Sequence, residues 1–394
     1  MLSIRAVVVG LLALASAGSI VRNSFVDAYA ETNPHRAASV WTNHPDVLIS
    51  TALTDIGTAA VRRQGPPDAA LLNLRVASQL APLAHDPFLA RGIQAQQEGQ
   101  AKLAERAFLD ARLRAPREAA PRYFLAQLYF SSNRGDRGLS ELATLAHLLP
   151  TGPTSVAPSL AAYARGTADL QGLKNAFRSN PMLEQAVLLE LSKDPANADL
   201  ALRLASGLRN PDGSARDWVN ALLPRLVDAG QTATAFRIWQ AASGAKRTDL
   251  LFDPSFGGSK APPPFNWSLL SDARGFAEPD QAGGLHVLYY GRDNAELASQ
   301  TLMLAPGRYR LTMRVTGNPE GMLRWSVTCL PGKSESTVAD LGDNGTETLG
   351  GLLTIGGDCP VQRLDLKGVA ADVAKQADVT ISQLNLRRDA DASN

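Results

Sequence analysis

Three prolines, Pro82, Pro116 and Pro150, stand 34 residues apart. Proline has no amide hydrogen to continue a helix, and it drives the residue before it out of the α region. Stops at one fixed interval, with alanine- and leucine-rich sequence between them, mean a supersecondary unit repeated in tandem. Within the middle interval Leu103, Ala104, Ala107, Phe108 and Ala111 form one stripe at helical spacing. The small residues on it let a second helix approach closely. One helix pair cannot bury such a face alone, so neighbouring units must stack.

The middle unit carries Phe88, Gly92, Ala95, Ala104, Phe108, Ala111 and Pro116. The next carries Leu125, Ala126, Tyr129, Gly138, Leu142, Leu145 and Pro150 at matching offsets. The preceding unit keeps Ala70, Leu74, Ala77 and Pro82, with a poorer first helix. This pattern resembles the tetratricopeptide repeat. It departs from it at Arg91 and Arg122, where apolar or aromatic residues are usual. Residues 155–250 continue in helical character without a clean period. Segments 182–191 and 198–208 read as helices, and 218–229 with 231–242 as an antiparallel pair split by Gly230. Ala233, Ala235, Phe236 and Trp239 again look like the second helix of a repeat. The region reads as degenerate repeats or a helical cap. A tetratricopeptide-like α-solenoid is therefore expected over 31–250. Such a solenoid offers an extended surface to protein partners. The polar positions Arg91, Gln94, Gln97, Arg122 and Gln127 are the candidate partner-binding residues.

Near the start, Arg5 precedes an uncharged run from Ala6 to Val21. Its 16 residues would extend about 24 Å as a helix. That is short for a membrane span and long for the core of a signal peptide. The favoured reading of residues 1–30 is a signal anchor. The alternative is a cleaved secretory signal, with small-residue sites at Ala13-Leu14-Ala15, Ala15-Ser16-Ala17 and Ala28-Tyr29-Ala30. A plain buried helix is the third. Either of the first two places the rest of the chain on the exported side.

Composition changes after residue 250. Residues 257–264 are rich in glycine and proline, so 251–264 reads as a linker. Beyond it, short strand signals fall at 265–271, 284–290, 297–304, 309–316, 323–329, 349–355, 363–366 and 379–386. Apolar and polar residues alternate from Tyr309 to Val315. A jelly-roll-like antiparallel β-sandwich over 265–390 is expected. The fold class is thus multidomain α plus β. Cys329 and Cys359 are the chain's two cysteines, 30 residues apart with no histidine close by. That spacing fits a disulfide in an exported domain better than a zinc site.

The sandwich region resembles carbohydrate-binding-module-like sandwiches. The resemblance rests on Phe256 with Pro264-Phe265-Asn266-Trp267, on Gln300 with Leu304-Ala305-Pro306-Gly307-Arg308-Tyr309, and on Trp325 through Cys329. The whole arrangement is similar to exported, membrane-anchored repeat proteins of Gram-negative bacteria associated with exopolysaccharide or envelope assembly. That resemblance implies envelope proteins as partners, polysaccharide as a further one, and an inner-membrane anchor facing the periplasm, or release into the periplasm after signal cleavage. Glycan binding needs exposed aromatic faces beside polar groups. Trp267, Tyr289, Tyr290 and Trp325 are the aromatic candidates, with Arg292 and Asn294 as polar partners, although Trp267 and Trp325 read as core before they read as ligand platforms. If Tyr289 and Tyr290 share a strand they point to opposite faces, and one is core.

Chemistry is hard to find. Lys+Arg number 39 and Asp+Glu 38, a balance of +1 that excludes a strongly basic nucleic-acid binder. Residues 251–394 carry 13 Lys+Arg against 17 Asp+Glu, so the two parts differ in sign. The five histidines are scattered. No phosphate-binding loop, dinucleotide fingerprint or nucleophile elbow occurs. Ser243 and Lys246 match S-x-x-K in form only, lacking its companion motifs. Asp340 and Asp343 lie in a turn too poor in ligands for calcium. The expectation is a non-enzymatic scaffold or adaptor with no cofactor and no metal; the alternative is a carbohydrate-binding protein acting through the sandwich.

Overall fold

The computed structural model describes residues 4–62, 64–168, 170–245, 250–330, 332, 334–342, 347–372 and 375–389. The chain divides into two compact units, Met1–Tyr163 with Asp169–Leu183, and Ala164–Ala168 with Glu184–Asn394.

The first unit is helical. Helices α1 (Ile4–Tyr29) and α2 (Pro34–Trp41) lead into three antiparallel pairs: α3 (Pro45–Val61) with α4 (Asp68–Leu80), α5 (Asp86–Gln97) with α6 (Ala101–Arg114), and α7 (Ala119–Ser131) with α8 (Gly135–Leu148). The period of the prolines is visible in the backbone. Ala81 and Ala115, each just before a proline, leave the helix at φ −129°, ψ 76° and φ −129°, ψ 78°; Leu149 does so at φ −103°, ψ 140°. Small residues do the work expected of them. A Cβ on Gly92 would meet the Phe108 ring at 2.4 Å, so only glycine lets α5 lie this close to α6. Phe108 in turn stacks on Phe124 of the next pair, with ring centroids 5.3 Å apart. Ala95, Ala104, Phe108, Leu125, Leu128 and Tyr129 form one buried cluster across both pairs.

The turns inside the α5–α6 and α7–α8 pairs repeat as well. Gly99 and Asn133 take left-handed φ of 75° and 58°. Gln100 N then donates to Ala95 O and Arg134 N to Tyr129 O, both at 2.8 Å, the six-to-one bond that closes a helix C-terminus. Helices α9 (Gly152–Gly166), α10 (Gln171–Ser179) and α11 (Pro181–Leu191) follow.

In the second unit a 3-10 turn (Pro195–Asn197) and α12 (Ala198–Leu204) precede the pair α13 (Asp217–Asp228) and α14 (Thr232–Ser243). That pair closes with the same turn: Gly230 has φ 75°, and Gln231 N donates to Leu226 O at 2.8 Å. The unit then continues as two antiparallel sheets. Strands β1 (Ser268–Leu269), β5 (Ala295–Leu302), β10 (Val361–Gly368), β7 (Leu323–Leu330) and β8 (Glu335–Asp340) form one, in that order. Strands β2 (Ser271–Asp272), β3 (Gly275–Asp280), β4 (Gly284–Tyr289), β11 (Ala377–Arg388), β6 (Gly307–Asn318) and β9 (Glu347–Ile355) form the other. Their inner faces share one core around Trp325, Tyr289, Leu297, Leu311, Leu364 and Ile381. Cys329, near the end of β7, is bridged to Cys359 in the turn before β10.

Two strands carry no hydrophobic signal in the sequence. β3 contains Pro279, tolerated because β2 pairs only with Gly275 and Phe276 and leaves the rest of β3 as an edge. β8 is a mostly exposed, polar edge strand. The stretch 251–264, expected as a linker, is instead packed. Leu251 and Phe256 belong to the sandwich core. Gln300 accepts from Phe252 N at 3.0 Å and donates to Phe252 O at 2.8 Å, standing in for a neighbouring strand. Trp239 of α14 lies edge-on to Phe252 at 5.0 Å and donates its indole N–H to Pro262 O at 2.8 Å. Helices that read as the end of the solenoid are therefore built into the same unit as the sandwich.

Candidate functional site

Two open surfaces bear on binding, one in each unit. The first is a groove of about 340 Å³ between α4 and α5. Leu71, Leu74, Pro87 and Phe88 supply its apolar part, and Arg75, Ser78, Arg91 and Gln94 its polar part. The repeat geometry makes it: α4 ends its unit at Pro82 and α5 opens the next, and the groove is lined by about two turns of each helix. Two of the candidate partner residues, Arg91 and Gln94, line this groove. Gln97 is exposed at the end of the same helix. Gln94 donates to Glu98 at 2.9 Å. Arg91 has no hydrogen-bond or ion-pair partner among the described residues, and the same holds for the Arg75 guanidinium.

Arg122 proves to be a structural residue. It pairs with Glu141 of α8 at 2.9 Å and donates to Pro116 O at 2.9 Å, joining both helices of its repeat to the end of the unit before. Glu141 is buried and also holds Arg112 of α6. An arginine in an aromatic position thus replaces ring packing with a charge clamp. Gln127 is exposed and donates to the Tyr123 hydroxyl at 2.9 Å.

The second surface is a cleft of about 640 Å³ at one end of the β1–β5–β10–β7–β8 sheet. Arg274, Asn294, Glu296, Arg324, Glu335 and Lys367 surround it. Its charges are mostly satisfied within the chain. Lys367 pairs with Glu335 at 2.8 Å and Arg274 with Asp272 at 2.7 Å. The Lys367 ammonium holds the Glu335 carboxyl below the usual range, and Arg274 does the same for Asp272. Asn294 accepts from Ala370 N at 2.9 Å. Of the glycan candidates only Asn294 lines this cleft; Arg292 is exposed in the same turn.

The aromatic candidates are placed elsewhere. Tyr289 is fully buried and donates its hydroxyl to Asp293 O at 2.9 Å. Trp267 is buried between Phe256 and Trp325 and donates to Asp253 O at 2.9 Å. Trp325 is fully buried. None of the three offers a face to a sugar ring, because each fills the core of the sandwich. Tyr290 is half-buried. Among the described residues no aromatic ring lines this cleft, which is therefore equipped for hydrogen bonding and not for stacking.

Among the described residues no group of three histidine, cysteine or acidic side chains is arranged to hold a metal. Ser243 ends α14 and accepts from Ala245 N at 3.1 Å, and Lys246 lies outside the described residues. Asp340 is paired in β8 opposite Arg324, and Asp343 lies outside the described residues. Sequence reading missed Arg75 and Phe88 as groove residues. The signal available was that Arg75 follows Leu74 and lies one turn from Leu71 on the helix just before the one that carries Arg91.

No protein-family model matches this chain, and no curated protein matches it. Solved structures are similar to one half or the other. TmCBM61 in complex with beta-1,4-galactotriose is 16% identical and covers 36% of this chain and 99% of its own, with a TM-score of 0.26. The APC/C hetero-tetramer Cut9–Hcn1 is 16% identical over 59% of this chain, which spans 38% of that one, with a TM-score of 0.28. A mutant of MamA is 14% identical, covering 48% of this chain and 99% of its own, with a TM-score of 0.26. At such identities and TM-scores these likenesses decide nothing about function, and the fold rests on the elements described above. The chain itself joins a region of antiparallel helix pairs to two antiparallel sheets that share one core.

Proposed function

We propose that this chain is a non-enzymatic scaffold of a Gram-negative envelope, docking protein partners through its helical repeats in the setting of polysaccharide synthesis or export. The observation that carries the reading is the α4–α5 groove, an apolar floor flanked by two guanidiniums that nothing in the described chain satisfies. A solenoid that kept such a surface for its own stability would pair or cover it. The test is photocrosslinking in intact cells, with the probe residue at position 91 and a control at position 292. Discrete adducts from position 91 alone support docking through the repeats. Adducts from position 292 alone move the function to the sandwich.

Attachment to the inner membrane is the second part of the reading. Val9, Leu11, Leu12, Leu14, Ile20 and Val21 of α1 are all more than 60% exposed, an apolar surface without a protein cover. Among the described residues no helix is long and apolar enough to cross a membrane. The expected outcome is that the full chain stays with membranes through alkaline carbonate washing, and that removal of residues 1–30 releases it. Release of the full chain by carbonate would overturn the anchor.

A second reading, glycan binding by the sandwich, is favoured by the polar cleft around Asn294 and Lys367. It predicts saturable binding of an envelope polysaccharide that Lys367→Ala weakens.

A further inference from the structure

We infer that the α4–α5 groove is a seat for an extended acidic peptide segment, an inference that rests on the docking reading above and names the chemistry of the partner. Arg75 and Arg91 come from facing helices and line one groove. Neither guanidinium meets a carboxylate among the described residues, and no Asp or Glu lines the groove. The acidic groups at the ends of α5 meet neither guanidinium: Asp86 lies 3.5 Å from His85, and Glu98 accepts from Gln94 and Gln100 at 2.9 Å each. Arg114, which stacks on Phe88 at 3.6 Å, is likewise taken up by Asp110 and by Pro82 O. The groove therefore carries two uncompensated positive charges.

A guanidinium offers a fork of donors that matches a carboxylate, and paired forks on two helices fix a chain between them. The floor decides the class of partner. The half-buried Leu71 and Phe88, above the buried Leu74, give an apolar strip that takes up aliphatic side chains and has no counterpart on a polyuronate. Acidic residues alternating with leucine or valine satisfy both the walls and the floor. The neighbouring repeat does not offer the same site, because Leu109 and Leu125 stand 34 residues after Arg75 and Arg91, and Arg122, in the place of Phe88, is paired with Glu141.

The experiment is selection of dodecapeptides from a random library on the full-length protein, followed by fluorescence anisotropy of the selected peptides. Selected peptides are expected to be enriched in Asp and Glu next to aliphatic residues. Arg75→Glu with Arg91→Glu is expected to weaken them at least tenfold while circular dichroism and thermal unfolding stay unchanged, and Arg75→Lys with Arg91→Lys to weaken them less. Affinity is expected to fall as salt is raised from 50 to 500 mM, in keeping with the screening of charge pairs. Selection without acidic enrichment, or binding indifferent to charge reversal, overturns the inference and leaves docking to be judged by crosslinking at position 91. Failure to recover any peptide overturns it also. Displacement of the selected peptides by alginate oligomers as strong as that by an acidic peptide of equal charge would assign the groove to polysaccharide instead.

Discussion

Arg91 and Arg122 break the same repeat pattern and have opposite fates. Arg122 has its charge neutralised by Glu141 and its remaining donors used on Pro116 O. Arg91 is left facing an open groove. Arg122→Ala is expected to cost about 1–2 kcal/mol, since Arg112 still satisfies Glu141. Arg91→Ala should change stability by less than about 0.5 kcal/mol. Urea unfolding of the two variants checks the contrast. Asp365 is a second residue whose role burial decides. It is fully buried in β10, and burial pushes its carboxyl above the ordinary range even though Arg363 at 2.9 Å opposes the shift. A raised carboxylate favours the protonated folded state. Stability from this group is therefore full below the unfolded value of about 3.9 and declines as pH rises toward the raised folded value. The stability of the wild type relative to Asp365→Asn is expected to fall across that window and level off above it. A difference that rises with pH would refute the assignment.

At the scale of elements, one turn recurs in three helix pairs, closed by Gly99, Asn133 and Gly230 in left-handed conformation. Gly230→Ala is expected to cost about 1 kcal/mol, because a Cβ is disfavoured there although space for it exists. Thermal unfolding measures it. The recurrence also identifies α13–α14 as a repeat-like pair that its sequence only suggested. In the sandwich, the Cys329–Cys359 bridge ties β7 to the turn before β10 across a separation of 30 residues. Reduction should lower stability by about 3–4 kcal/mol in the loop-entropy model. Denaturant midpoints with and without reductant read this directly; equal midpoints would mean that strand pairing alone holds that edge.

At the scale of the molecule, the boundary of the second unit falls before α12–α14 and not after them. Trp239, Phe236, Phe252 and Phe265 form a ring cluster that joins α14 to the segment entering the sandwich. A fragment covering 184–394 is accordingly expected to unfold at a higher temperature than one covering 250–394. Trp239→Ala should remove most of that advantage, at about 3–5 kcal/mol. Equal melting of the two fragments would show that the helices add nothing to the sandwich.

Helix pairs, their period and the change from α to β at residue 250 were legible in the sequence, because each follows from local rules: apolar spacing, proline stops and strand alternation act over a few residues. The pairing of Cys329 with Cys359 was legible for another reason, scarcity: the chain has two cysteines, each with one possible partner. What a residue faces is not local. Which of Tyr289 and Tyr290 faces the core is open until two sheets close over Tyr289, and residues 251–264 look like a linker until Gln300 and Trp239 grip them. Whether an arginine is a clamp or an open donor depends on a carboxylate 19 residues away, as Glu141 is from Arg122. Contacts between distant segments select among roles that composition leaves equal, and only the folded chain brings those segments together.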